Sequence, residues 1–343
     1  MSVAADLYAV VTRARRRAWS RPGRPRRLQR PVVSVGNLRV GGSGKTPTVA
    51  YLARLLADAG ERPAVLSRGY ARRRAVEGVV VVSDRAGVRA DLDSAGDEPL
   101  MLARALPGIP VAVCPDRYFA GRLAELHLGA TVHVLDDGFQ HVQLDRDVNL
   151  LIVSAGDARD GRTLPSGRLR EPLDAAHAAH ALLVPDATAE QAHALGMGLG
   201  VGRTFSLART VGQAKQAGDD GVRAPLDPGT PVLAVAGIAR PERFFSDAEQ
   251  AGYRVAATRA FRDHHRYSSD DARAIAGAAR DAGAAAILTT EKDLVRLQPY
   301  LPLTLPVAWL PLEVRIEPEA EFRAWLLGEV RAAASAAGPG GAR

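Results

Sequence analysis

Three glycines, a serine, a lysine and a threonine stand together at Gly41-Gly42-Ser43-Gly44-Lys45-Thr46. Residues of these types at this spacing are suited to holding polyphosphate. Glycines let backbone N–H groups turn inward around phosphate oxygens, a helix starting here adds positive potential, and the lysine ammonium reaches the β and γ phosphates. The Thr46 hydroxyl is then placed for Mg²⁺. The run departs from the full GxxxxGK[ST] pattern, because Arg39 occupies the first glycine position. It is the tighter GGxGKT form, and Arg39, Val40, Gly41, Gly42, Ser43, Gly44, Lys45 and Thr46 are expected to line a nucleoside triphosphate. Only three lysines, Lys45, Lys215 and Lys292, occur among 45 basic residues. A chain that otherwise uses arginine keeps lysine most informatively where a compact ammonium on a flexible stem is needed.

A phosphate loop of this kind works with an acid at the end of a neighbouring strand. Val132-His133-Val134-Leu135-Asp136-Asp137 fits, with alternating apolar positions running into two carboxylates, followed by Gly138-Phe139-Gln140-His141. Gly96-Asp97-Glu98-Pro99 opens a helix, where acids and a first-turn proline equally suit ordinary capping. Phe261-Arg262-Asp263-His264-His265 precedes another helix and reads equally as a polar loop.

The elements that must position these residues alternate short β-branched runs with longer helical patterns, the signature of a parallel sheet covered by helices. Strands are expected at 32–35, 64–67, 79–82, 111–114, 132–136 and 150–153, with helices at 46–59, 99–106 and 117–128. The second half continues with strands at 181–184, 232–235, 253–256, 286–288 and 307–309 and helices at 241–251 and 269–282. Residues 157–172, polar and rich in Arg, Gly and Pro, are expected to form a long loop of the kind often used as a lid. The expected fold class is α/β: a P-loop NTPase-like parallel sheet flanked by helices, a smaller second α/β domain and an N-terminal amphipathic helix. The expected division is an arm at 1–30, a nucleotide-binding domain at 31–208, a linker at 209–229, a second domain at 230–335 and a frayed tail at 336–343.

At 343 residues, with 47% hydrophobic and 24% charged residues, the chain has ordinary globular composition. A single cysteine, Cys114, forms no internal disulfide. The net charge of +7 is local. Residues 1–30 carry nine arginines against Asp6 alone, leaving the remaining 313 residues at −1. Val3, Leu7, Val10, Val11, Ala14 and Ala18 share one side of a helix, with arginines flanking it. That pattern suits a helix lying in a membrane interface, although a helix docked on its own domain explains it too. The stretch is too short and too interrupted for a span, and the arginines follow the apolar part where a signal peptide would have them first. A near-neutral body argues against nucleic acid.

Taken together, the strings SVGNLRVGGSGKTPTV (34–49), LSRGY (66–70), GDEP (96–99), LDDGFQH (135–141), LPSGRLREP (164–172), AGIARPERFF (236–245), DHH (263–265) and TTEKD (289–293) resemble the tetraacyldisaccharide 4'-kinases of lipid A biosynthesis. The resemblance implies transfer of the ATP γ-phosphate, with Mg²⁺, to the 4'-hydroxyl of a lipid A disaccharide 1-phosphate at the cytoplasmic face of the bacterial inner membrane. It also implies roles for individual residues. Asp97 would accept the hydroxyl proton, paired with His264. Asp136, Asp137 and Gln140 would form the metal-side network, with Thr46, Glu98 and Asp136 as metal ligands. Arg117 and Arg170 would clamp migrating charge or substrate phosphate. A different class, the nucleotide-switch ATPases and GTPases, shares GGxGKT. Against it, Val40 stands where deviant ATPases carry Lys, and no NKxD string is present.

Overall fold

The computed structural model describes residues 3–41, 44–70, 72–74, 76–218 and 221–336, so Gly42, Ser43 and most of the expected tail lie outside the described residues. Strands in chain order are β1 (Val32–Asn37), β2 (Pro63–Ser67), β3 (Val80–Asp84), β4 (Gly87–Val88), β5 (Val111–Val113), β6 (Val132–Asp136), β7 (Val148–Ile152), β8 (Ala181–Pro185), β9 (Thr204–Val211), β10 (Lys215–Gly218), β11 (Gly221–Pro225), β12 (Pro231–Ala236), β13 (Arg254–Ala260), β14 (Ala286–Thr290), β15 (Val307–Leu310) and β16 (Leu312–Glu317). Helices are α1 (Val3–Trp19), α2 (Lys45–Asp58), α3 (Leu92–Ala95), α4 (Asp97–Ala105), α5 (Arg117–His127), α6 (Ala155–Asp160), α7 (Ala189–Leu199), α8 (Pro241–Gln250), α9 (Ser269–Asp281), α10 (Glu291–Leu297) and α11 (Glu319–Ala336).

Two compact units result. The first takes residues 1–209 and 314–343, the second 210–313. The first holds a ten-stranded sheet in the order β16-β9-β8-β7-β1-β6-β2-β5-β3-β4. Its centre is parallel, and β1, β2, β6 and β7 are buried along their whole length. Strands covered by helices on both faces read as continuous apolar runs for this reason. Register matters most at the carboxyl ends, where Val35 lies opposite Asp136. Asn37 and Asp137 therefore emerge side by side, in the place where parallel sheets gather ligands. The second unit carries a six-stranded sheet, β11-β10-β15-β14-β12-β13, parallel across β13, β12, β14 and β15.

Three expectations change. The linker expected at 209–229 contains β10 and β11, an antiparallel hairpin whose β10 pairs with β15. The second domain ends earlier than expected, because β16 joins β9 and α11 packs Phe322 and Trp325 against Phe205, with centroids 5.0 and 5.8 Å apart. The segment 157–172 is only partly a loop: Ser154 and Asp157 form a capping box that starts α6.

The N-terminal arm is knitted into the first unit. Helix α1 buries Ala5 and Ala9 but leaves Val3, Leu7, Val10 and Val11 exposed. Its arginines find carboxylates: Arg13 Nε lies 2.6 Å from Asp174, and Arg16 Nε 2.7 Å from Glu171. Beyond the helix, Arg27 bridges Asp145 and Asp147 at 2.8 Å each. Leu28 is buried against Gly121, where any Cβ would come within 2.3 Å of it.

Candidate active site

Lys45 is the first residue of α2, behind Gly44, which caps the helix in the left-handed region at φ 83°. Its ammonium donates to Asn37 Oδ1 at 3.1 Å and lies 3.6 Å from Asp137 Oδ1. Arg170 closes the group with a two-pronged bond to the Asp137 carboxylate, 2.7 Å on each side, and also donates to both Asn37 oxygens. Gln140 Nε2 donates to the Asn37 carbonyl at 3.0 Å. Asn37 is thus the common acceptor for Lys45, Arg170 and Gln140, although it carries no local signature that would single it out. Close approach makes this possible: a Cβ on Gly36 would fall 2.4 Å from Phe139 Cβ.

The two carboxylates differ sharply. Burial raises the Asp137 carboxyl, but the Arg170 hydrogen bonds and the charges of Lys45 and Arg117 outweigh it and hold the group at about 2. Asp137 is therefore ionised. Asp136, 3% exposed at the end of β6, is pushed up to about 7 by burial and by the charges of Glu98 and Asp137. Ser67 Oγ donates to its Oδ2 at 3.1 Å, while its buried Oδ1 has no hydrogen-bond partner among the described residues. A buried acceptor left in that state is costly unless something else satisfies it.

Arg170 is delivered by the backbone. Val40 N–H donates to the Arg168 carbonyl at 2.8 Å, and Arg39 pairs with Leu169 in an isolated bridge, so 168–170 runs beside 38–40. The Arg39 guanidinium is committed to Asp157 at 3.0 Å. Arg117, first in α5, is buried and donates to the Pro115 carbonyl at 2.7 Å. Burial and the Arg68 charge lower its guanidinium to about 10, and its Nε has no acceptor among the described residues. Thr46 and Glu98 are half-buried.

Asp97 is the first residue of α4, buried at 5% exposure, and its Oδ1 accepts the Glu98 N–H at 3.0 Å. Gly96 precedes it at φ 87°, where a Cβ would sit 2.7 Å from the Tyr70 carbonyl. His264 belongs to the second unit. It sits at φ 57°, with Nε2 3.1 Å from Lys292 Nζ. Ser67 and Asn37 are the residues of this region that the sequence motifs left without a role. Both end strands, and both stand inside quoted strings, LSRGY and SVGN.

A parallel sheet whose first strand leads through a glycine loop into a helix, with a lysine and two carboxylates at the strand ends, defines a P-loop kinase. The family model described as tetraacyldisaccharide-1-P 4'-kinase matches residues 1–331, and the chain belongs to that family. The tetraacyldisaccharide 4'-kinase of Syntrophus aciditrophicus is 40% identical over 311 residues, covering 86% of this chain and 83% of that protein. The one from Geobacter sulfurreducens is 40% identical over 323 residues, covering 92% and 88%. The crystal structure of "apo" form LpxK from Aquifex aeolicus in complex with ATP is similar at a TM-score of 0.77 and 32% identity, covering 95% of this chain and 97% of that one. Among the described residues no helix is long and apolar enough to cross a membrane.

Proposed function

We propose that the chain transfers the γ-phosphate of ATP to the 4'-hydroxyl of a tetraacylated disaccharide 1-phosphate, giving the lipid bisphosphate of lipid A biosynthesis. The observation that carries this reading is the Asn37–Lys45–Asp137–Arg170 cluster at the carboxyl ends of β1 and β6, in a chain of this family. Lys45 and Arg170 bring two positive charges to the place where β and γ phosphates would lie, and Arg117 brings a third donor. Such charges act where negative charge migrates toward the leaving oxygen. Asp97 takes the hydroxyl proton as the new P–O bond forms and the bond to the bridging oxygen of ADP breaks. His264 is its functional partner.

The residues present suit Mg²⁺. Among the described residues the buried Oδ1 of Asp136 lacks a partner, and a hard cation taking oxygen ligands from Asp136, Thr46 and Glu98 would satisfy it. When bound, Mg²⁺ would supply charge neutralisation at the phosphates. Among the described residues no three or more His, Cys, Asp and Glu gather as a metal cage. The remaining ligands would be phosphate oxygens and water, as is usual for this ion.

The exposed Val3, Leu7, Val10 and Val11 with the neighbouring arginines suit peripheral attachment to an anionic leaflet, on the cytoplasmic face where ATP is available. The test is direct. Purified protein with labelled ATP, Mg²⁺ and the lipid disaccharide 1-phosphate should place label in a lipid bisphosphate. Label appearing only as free phosphate would favour a nucleotide-switch hydrolase instead.

A further inference from the structure

In the second unit a buried ion pair organises three loops at the carboxyl ends of β12, β13 and β14. Asp293, fully buried, lies 2.8 Å from Arg296 and accepts from Gly237 N–H at 3.0 Å, Tyr267 Oη at 2.9 Å and Thr290 Oγ1 at 2.6 Å. Arg296 in turn donates to the carbonyls of His265 at 3.0 Å and Gly237 at 3.1 Å. The His265 ring stacks on Phe261 at 4.5 Å and its Nε2 meets Asp271 at 3.2 Å. The residues after His264 are therefore held rigidly. Before it, Asp263 Oδ1 accepts the His264 N–H at 3.0 Å. Lys292 precedes Asp293 directly, so its backbone is fixed by the same hub.

Across this frame Lys292 Nζ approaches His264 Nε2 to 3.1 Å, with Asp263 Oδ1 3.8 Å from the same ammonium. An ammonium has donors only, so Nε2 is the acceptor and a neutral ring must carry its proton on Nδ1. We propose that Lys292 is a positioning residue: it holds the His264 imidazole in the Nδ1–H form. A compact ammonium on a long stem makes this end-on contact, which the planar, forked guanidinium does not reproduce. That accounts for one of three lysines surviving in a chain that otherwise uses arginine. Lys292 from α10 and Asp263 from its own loop face the ring, with Asp263 Oδ1 3.9 Å from Nε2. Asp271 of α9 is taken by His265, and Asp293 and Arg296 by each other. The catalytic consequence rests on the role proposed above for His264; the contact itself does not.

Two measurements test it, both on the full chain. Imidazole ¹⁵N spectra, assigned by the signal lost in His264→Gln, should show Nδ1 protonated and Nε2 bare in the wild type. In Lys292→Met the ring should pass mainly to the Nε2–H form preferred in water. Lys292→Gln, which keeps a donor without the charge, should retain Nδ1–H. An Nε2–H ring in the wild type, or a spectrum indifferent to Lys292→Met, overturns the proposal. In kinase assays Lys292→Met should lower kcat about tenfold or more with little change in KM for ATP. Lys292→Arg should not restore kcat. Full recovery of kcat in Lys292→Arg also overturns it. A wild-type protein with the Nδ1–H signature but no lipid kinase activity would sink the functional reading while leaving the contact standing.

Discussion

Each unit contains a buried carboxylate, and the two are treated in opposite ways. Asp293 is compensated from within, by three donors and a guanidinium. Asp136 has one serine donor, an oxygen without a partner among the described residues and two further carboxylates acting on it. A charge satisfied by its own fold rigidifies, whereas a charge left wanting must be completed from outside. The first arrangement suits architecture; the second is the one expected of a group that binds a ligand under the proposed function.

The largest effects should fall on turnover and come from the first unit. Lys45→Ala and Thr46→Ala should each cost about 10³-fold in kcat with melting temperature nearly unchanged, because the proposed function has them act on phosphate charge and Mg²⁺. Normal lipid phosphorylation by Lys45→Ala would remove the phosphate loop from the mechanism. Asp97→Ala and His264→Ala should each lose about 10²-fold or more, chiefly in kcat, and the double variant should be little worse than the poorer single. Multiplicative losses would show two residues acting separately and return Asp97 to helix capping.

Stability should separate the two carboxylates directly. Asp293→Asn strands the Arg296 charge in the core and should cost about 3–5 kcal/mol in chemical denaturation. Asp136→Asn should leave the ligand-free protein as stable as the wild type or more so. Equal losses from both would contradict the contrast.

The pH dependence gives a smaller, finer test. The folded protein holds a proton on Asp136 up to about pH 7, while an unfolded aspartate releases it near about 3.9. The Asp136 contribution to stability therefore falls as pH rises between those values. His141 works in the opposite sense: burial, with the Arg117 charge, lowers its imidazole to about 3, so stability falls as pH drops below about 6.5. Comparing wild type with Asp136→Asn isolates the carboxylate. The advantage of the asparagine variant in melting temperature should grow from pH 4 to pH 7 and shrink when Mg-ATP is added.

The arm should yield the smallest changes. Removing residues 21–28 would take Leu28 out of the core, so point variants are the cleaner probe. Leu7→Ser and Val11→Ser should each weaken binding to anionic vesicles roughly tenfold, taking about 1.5 kcal/mol per inserted side chain. Vesicle binding indifferent to both would move any membrane contact away from α1.

Much of the first unit was legible in the sequence because its features are local. The glycine loop, the strand running into Asp136-Asp137 and the amphipathic helices each declare themselves within a dozen residues. Asn37 and Ser67 did not, because one polar residue at a strand end acquires meaning only from its neighbours across the sheet. The hairpin of β10 and β11 was hidden by turn-forming composition, and α11 offered no clue to the unit it joins. Arg170 was named from the resemblance, but its delivery depends on backbone pairing between 168–170 and 38–40, which no spacing rule encodes.

The return of β16 and α11 to the first unit also bears on synthesis. Residues 210–313 form a contiguous stretch that can complete its own sheet while the C-terminus is still being made, whereas the larger unit waits for its last edge strand and for the aromatic lid over Phe205. During vectorial translation the inserted unit closes first and the unit that began the chain closes last, so a nonsense codon as late as residue 318 would leave the nucleotide-binding half unfinished.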